Sequence, residues 1–269
     1  MYSGGNGTKQ DPYLIGTKAD IELMFQNGED EAYYKQIADI DMLGAEYSWQ
    51  SDYKGAYDGQ NYKISNVNFG AGYRAGFFGG VYKMADFDGD AQIKNVRLVA
   101  ISVSGNSYCG CFAGSLSGVT VKNCHVESGE VTSLDGFGFP SYSGGFVGNA
   151  SESQILDCSF SGAIETGFIS AGFVGSCCYS VISNCIVNAS VKHDNSEAAG
   201  LVSYLSYHSI VEKCKVRVIF KEVPGTWYSI QVGGIAVVCN GYIGQCTCDI
   251  SINGNRSGYF GGIAATMQA

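Results

Sequence analysis

The sequence predicts an all-β protein: a right-handed parallel β-helix (β-solenoid) with an N-terminal cap that carries one short α-helix. Three observations lead there. Glycine fills 38 of 269 positions and charged residues only 15%, a turn-rich composition too apolar and too weakly charged for a disordered chain. A glycine-apolar signature recurs seven times, at steps of 35, 34, 27, 28, 34 and 28 residues. No useful length of the repeats shows helical periodicity, whereas short runs such as Val119 to Val126 alternate Val, Ile and Cys with polar residues, the period of a half-buried strand.

The N-terminal stretch comes first and differs from the rest. Thr17-Lys18-Ala19-Asp20 before Ile21, Leu23, Met24 and Phe25 reads as a capped helix, with the acid three residues after the threonine. Gly28 after Asn27 is its natural stop, and Asp58-Gly59 marks a turn between β-type runs. A solenoid end exposes unpaired backbone and core, so a cap is expected there. Residues 1–70 are therefore assigned to the cap and first irregular coils. Residues 71–269 are assigned to about seven repeats, the last incomplete.

Each repeat opens with the first signature, from Ala75-Gly76-Phe77-Phe78-Gly79 through Gly144-Gly145-Phe146-Val147-Gly148 to Gly261-Gly262-Ile263-Ala264-Ala265. A second signature follows the first six copies, from Ile93-Lys94-Asn95-Val96 through Val121-Lys122-Asn123-Cys124 to Ile243-Gly244-Gln245-Cys246. Units of this size cannot bury a hydrophobic face alone and must stack, and a propeller blade would need ~40–45 residues. One coil per repeat fits better. Sequence columns then become ladders with ~4.8 Å rungs. The column Val96, Cys124, Cys158, Cys185, Cys214, Cys246 should line the interior with reduced thiols, beside Phe77, Phe112, Phe146, Phe173, Leu201, Ile235 and Ile263. Asn95, Asn123, Asp157 and Asn184 should form a corner ladder, since Asn tolerates left-handed backbone. Lys213 and Gln245 break that pattern in the later coils. Right-handedness is the general bias of parallel crossovers.

The Gly-Gly-Phe-Val-Gly and Ile-x-Asn-Cys repeats resemble the GLUG motif of large bacterial surface proteins, including regions of some immunoglobulin A-cleaving peptidases. The opening segments Ser3 to Thr8 and Tyr57-Asp58-Gly59-Gln60-Asn61-Tyr62 also resemble the start of surface β-helix proteins. The resemblance implies a parallel β-helix fold, an adhesin-like surface role and a longer parent protein, and it carries no shared catalytic residues. A non-enzymatic rigid spacer presenting loops to a host or bacterial surface glycan or protein is the leading expectation. A phage tail-spike-like or secreted β-helix that binds or degrades polysaccharide, located in a virion, is the alternative.

Other chemistry finds little support. With 16 basic against 25 acidic residues and only the alternating Lys213, Lys215, Arg217, Lys221 run as a basic cluster, nucleic-acid binding is not expected. No apolar run nears the ~18 residues needed to span a bilayer. The amino terminus lacks the basic and apolar regions of a signal peptide. Acidic residues form no column, so no catalytic pair is assigned. No cofactor is expected. Asp86, Asp88 and Asp90 resemble part of a calcium loop but lack its downstream glutamate, Arg97 standing there. Aromatics within repeat insertions are the candidate binding residues: Phe137, Phe139, Tyr142, Tyr204, Tyr207, Trp227 and Tyr228, because insertions map to loops. The truncated seventh repeat leads to the expectation of further repeats or end-to-end self-association.

Overall fold

The computed structural model describes residues 1–27, 31–48, 52–133, 142–166, 169–193, 197–222, 230–253 and 258–267. The chain is a parallel β-helix in which each coil crosses three walls. The first wall takes short strands such as Thr120–Lys122, Gln154–Leu156 and Val181–Ser183. The second takes long ones, His125–Ser133, Ser159–Thr166 and Ile186–His193, followed by brief strands Tyr142–Gly144, Ile169–Ala171 and Glu197–Ala199 in the same sheet. The third takes Ala113–Ser117, Val147–Ser151 and Val174–Cys178. Among the described residues the walls hold nine, thirteen and eight strands, each paired in parallel with its equivalent one coil away.

The cap forms as its sequence predicts. The helix Lys18–Gln26 starts at Thr17 with a complete capping box, and the Asn27 N–H bonds back to the Leu23 carbonyl; Gly28 lies outside the described residues. Asp20 is buried, but its carboxylate accepts from the Ser3 hydroxyl at 2.7 Å and from the Ser3, Gly16 and Thr17 N–H groups. Burial opposes that charge most strongly, yet these bonds leave the acid below its usual range. Ile21, Met24 and Phe25 cover the first coil, Phe25 meeting Phe77 edge-on at 5.2 Å. The division at residue 70 falls inside the strand Lys63–Ala75. One buried core runs without a break from Ile15 to Cys239.

Inside, aromatic rings stack coil upon coil: Phe112 on Phe146 at 4.6 Å and Phe146 on Phe173 at 4.9 Å. In the last coil that same column is open, with Ile263 58% exposed.

Two corners turn the coil, and both use left-handed backbone. Between the first and second walls stand Asn95, Asn123, Asp157, Asn184, Lys213 and Gln245, with φ of 56°, 52°, 56°, 55°, 56° and 53°. The corner thus outlasts its asparagines, and the expected weakening at Lys213 and Gln245 is corrected. At Lys213 a backbone bond explains this, because its N–H donates to the Gly244 carbonyl of the next coil just as the Asn123 N–H donates to Leu156. The cysteine that follows points inward; Cys124, Cys158, Cys185 and Cys214 are buried and all eleven cysteines are free thiols. Each of these four corner thiols donates to the carbonyl two residues before it, Cys158 to Leu156 at 3.0 Å and Cys185 to Ser183 at 3.3 Å.

The second corner joins the third wall to the first. Gly118, Glu152, Tyr179 and His208 take φ of 70°, 51°, 49° and 59°, and buried Ser153, Ser180 and Ser209 follow the last three. The Ser153 N–H donates to the Ser180 hydroxyl oxygen at 2.9 Å, and the Ser180 hydroxyl donates to the Cys178 carbonyl at 2.8 Å. The sequence pattern Ser-x-Ile or Ser-x-Val, two residues ahead of the second signature's first residue, was the signal for this ladder.

Candidate functional site

A trough runs along the outside of the helix, where the ends of the second-wall strands meet the third wall. Tyr73 and Tyr108 form one bank, Tyr82 part of the other, and Ser115, Asn149 and Ser151 lie between. It encloses about 300 Å³. The two walls approach closely because the corner is built from glycine. A Cβ on Gly148 would stand 2.6 Å from the Cys109 backbone nitrogen, closer than real Cβ atoms come.

Register explains the banks. Arg74 pairs with Tyr108, and Tyr142 stands one coil further, two residues before its own corner glycine as Tyr108 is. Tyr108 and Tyr142 keep parallel rings, 7° apart with centroids at 6.1 Å, while Tyr73 meets Tyr108 at 88° and 5.5 Å. On the third wall Ser115, Asn149, Ser176, Tyr204 and Val238 fall in one register column. Every second residue of that wall faces out, since Leu116, Ala150, Cys177 and Leu205 are buried. Burial first, then the nearby Tyr204 and Glu197, hold the Tyr142 phenol above its ordinary pKa. Tyr108 is raised likewise, by burial and then by Tyr73 and Tyr142. The phenols are therefore neutral donors.

Arg74 closes one end of the trough. It pairs with Asp52 at 2.8 Å, donates to the Tyr82 hydroxyl and lies 5.6 Å over that ring. The guanidinium is held across both walls, and its charge is matched.

Of the sequence-predicted binding residues, Tyr142 stands beside Tyr108 one coil beyond the cavity's tyrosines, and Tyr204 lies further along the same outer column, three coils from Ser115; neither lines the cavity itself. Both stand on strands, half-buried, where loops were expected. Tyr207 sits exposed beside His208 at the second corner, away from the trough. Phe137, Phe139, Trp227 and Tyr228 lie outside the described residues. Tyr73, Tyr82 and Tyr108 were missed, although the 34-residue step from Tyr108 to Tyr142 matches the repeat.

Asp86, Asp88 and Asp90 are exposed and do not converge. Asp88 pairs with Lys9 at 2.5 Å, and Asp90 with Lys94 at 3.5 Å and Lys122 at 3.4 Å. Among the described residues no three His, Cys, Asp or Glu side chains group as metal ligands. Along the outer second wall, carboxylates meet basic partners in an adjacent coil: Glu127 with Arg97, Glu165 with Lys192 and Asp249 with Arg217. His125 also faces outward, its ring held by the Ser159 hydroxyl at 2.8 Å and the Asn123 amide oxygen at 3.0 Å. Burial, then the nearby Arg97, lowers its pKa, so the ring is neutral near pH 7.

No protein-family model matches the chain. It is 33% identical over 156 residues to halomucin from Haloquadratum walsbyi, a match that covers 54% of this chain and 2% of halomucin. The chain thus spans a small fraction of that relative. Among solved structures it is similar to a Bacteroides ovatus protein described as a candidate immunoglobulin A1 protease, with a TM-score of 0.69 and 21% identity over 98% of this chain and 86% of the other. At that identity the likeness establishes the fold.

Proposed function

We propose that the chain is a non-enzymatic, GLUG-type β-helical segment of a larger extracellular or cell-surface protein, and that its tyrosine trough binds glycan. The trough carries this reading. Tyrosine rings offer apolar faces with a polar edge, and Ser115, Asn149 and Ser151 add short donors and acceptors between the banks. Charge contributes little, since Arg74 is spent on Asp52 and Tyr82. A neutral polysaccharide suits such a surface. An outside location is supported by the likeness to a candidate protease of immunoglobulin A1, an antibody that acts outside cells.

A glycan array of the whole chain beside Tyr73→Ala/Tyr108→Ala tests the reading. The parent chain should retain neutral glycans, and the double variant should lose about tenfold or more in affinity, the equivalent of ~1.4 kcal/mol. Unchanged retention by the variant, or release of reducing ends from the bound polysaccharide, would overturn it; the second outcome would favour a polysaccharide-degrading β-helix.

A further inference from the structure

A second cleft, of about 360 Å³, lies at the capped end of the helix on its first wall. It has nothing in common with the trough. The N-terminal strap brings Lys9 to one side, the first wall supplies Tyr33, Lys35 and Lys94, and the insertion of the first repeat folds Phe87 over the opening. Phe87 stacks on Tyr33 with centroids 6.3 Å apart. The lysines stand in register: Lys35 pairs with Asp58, Asp58 with Lys94, and Lys94 with Lys122. Strand rungs at ~4.8 Å therefore set Lys35 and Lys94 on either side of Asp58, which also lines the cleft and whose carboxylate accepts from the Asn95 amide and the Gln60 N–H.

In a chain of net charge −9, Lys9, Lys35 and Lys94 line this cleft against the one lining carboxylate, Asp58, and two further carboxylates reach its lysines from the insertion. The insertion that carries Asp88 and Asp90 is anchored at its start, where the Ala85 N–H donates to the Glu31 carboxylate at 3.0 Å. It then lays one carboxylate on Lys9 and the other between Lys94 and Lys122. These pairs are exposed, so each contributes little to stability. Lys35 has no ion-pair partner among the described residues. The cleft is thus a set of anion sites, two of them filled by weakly held internal carboxylates, beside an aromatic pair.

We propose that this cleft binds an acidic saccharide, with Lys9, Lys35 and Lys94 receiving its anionic groups and Tyr33 and Phe87 its ring faces, and that Asp88 and Asp90 are internal competitors of that ligand. An acidic peptide fits less well. Peptides commonly gain affinity by adding a strand to an open edge, but here the wall's backbone groups are already paired on both sides of Tyr34 and Lys35. Only side chains remain to recognise a ligand. Lysine ammoniums are compact point charges on flexible stems, suited to either carboxylate or sulfate.

The test is affinity electrophoresis of the whole chain in polygalacturonate, in heparin, in a neutral polysaccharide and in polyglutamate, with folding of each variant checked by circular dichroism. Retardation is expected in polygalacturonate or heparin and should fall as salt rises. Lys35→Ala/Lys94→Ala should weaken it about tenfold, and Asp88→Asn/Asp90→Asn should strengthen it severalfold by removing the competitors. The trough variant Tyr73→Ala/Tyr108→Ala should leave it unchanged, which separates this site from the one proposed above. No retardation in either acidic polysaccharide, equal retardation in polyglutamate, or weaker binding by the aspartate variant would overturn the proposal.

Discussion

The two corners of the coil solve one problem with different chemistry. Each turns through a single left-handed residue and then sends a small side chain into the interior. At the first corner that side chain is a thiol, at the second a hydroxyl. A hydroxyl donates and accepts well, whereas a thiol is a weak donor that otherwise behaves as a small apolar group. Accordingly, Ser180 ties coils together by accepting the Ser153 N–H, and Ser209 accepts the Ser180 N–H at 3.3 Å. Cys185 instead meets carbonyls of its own and the preceding coil, at 3.3 and 3.6 Å, with buried packing around it. The Cys124 N–H also reaches the Cys158 sulfur at 3.4 Å, so both corners share one bond pattern, with strong oxygen bonds at the serine corner and weak sulfur bonds backed by burial at the cysteine corner.

Alkali should break this symmetry with the largest effect. Burial pushes the Cys109 thiol up to about 11 and Cys177 up to about 12, against an ordinary value of 9.0. Burial raises Cys158 and Cys185 as well. Such groups stay neutral in the folded chain but ionise on unfolding, so their contribution is whole below pH 9 and is lost as pH climbs toward 11–12. Buried Tyr53 and Tyr57, both raised by desolvation, act in the same direction from pH 10. Serine hydroxyls do not titrate there. Circular dichroism against pH should show a cooperative loss of structure above pH 9, and Cys158→Ala/Cys185→Ala should shift its midpoint upward relative to that variant's stability at pH 7. An unmoved midpoint would mean the thiols are not the alkaline weak point.

A charge placed at the first corner comes next. Cys158→Asp buries a carboxylate with no cationic partner and should cost several kcal/mol. Its neighbour Ser159 is half-exposed on the outer face, and Ser159→Asp should stay within about 0.5 kcal/mol. Equal melting temperatures for the two variants would show that the wall is inside out.

The smallest effect tests the serine ladder. Ser180→Ala removes the acceptor of the Ser153 N–H, and an orphaned buried donor costs about 1–3 kcal/mol. Denaturant midpoints should fall accordingly, with faster amide exchange at Ser153 than at Asn184, whose N–H bonds to the Glu212 carbonyl. Equal exchange at the two amides would mean that the hydroxyls only fill space.

Much of this was readable from residue order. Stacking converts a repeated column into a ladder, so Cys158 beneath Cys124 or Phe146 beneath Phe112 follows from spacing alone. The helix Lys18–Gln26 follows from a local capping box. The serine corner was harder to see, because Ser before a strand looks like any turn residue until its hydroxyl is found bonded to the next coil. Lys213 shows the converse: side-chain identity suggested a broken corner, while an inter-coil backbone bond preserved the conformation, and Gln245 keeps the same left-handed φ.

By itself, then, the sequence determined the repeat, the direction each column faces and the cap, because these depend on periodicity and on contacts one coil apart. Only the tertiary structure decided which outward columns meet. Tyr108 and Ser115 lie on different walls and share a trough because glycines let those walls close to backbone contact. Lys9 and Asp88 are 79 residues apart and meet because the cap folds back over the first repeat. Neither juxtaposition has a period, and without a period linear order does not specify the distance between two side chains.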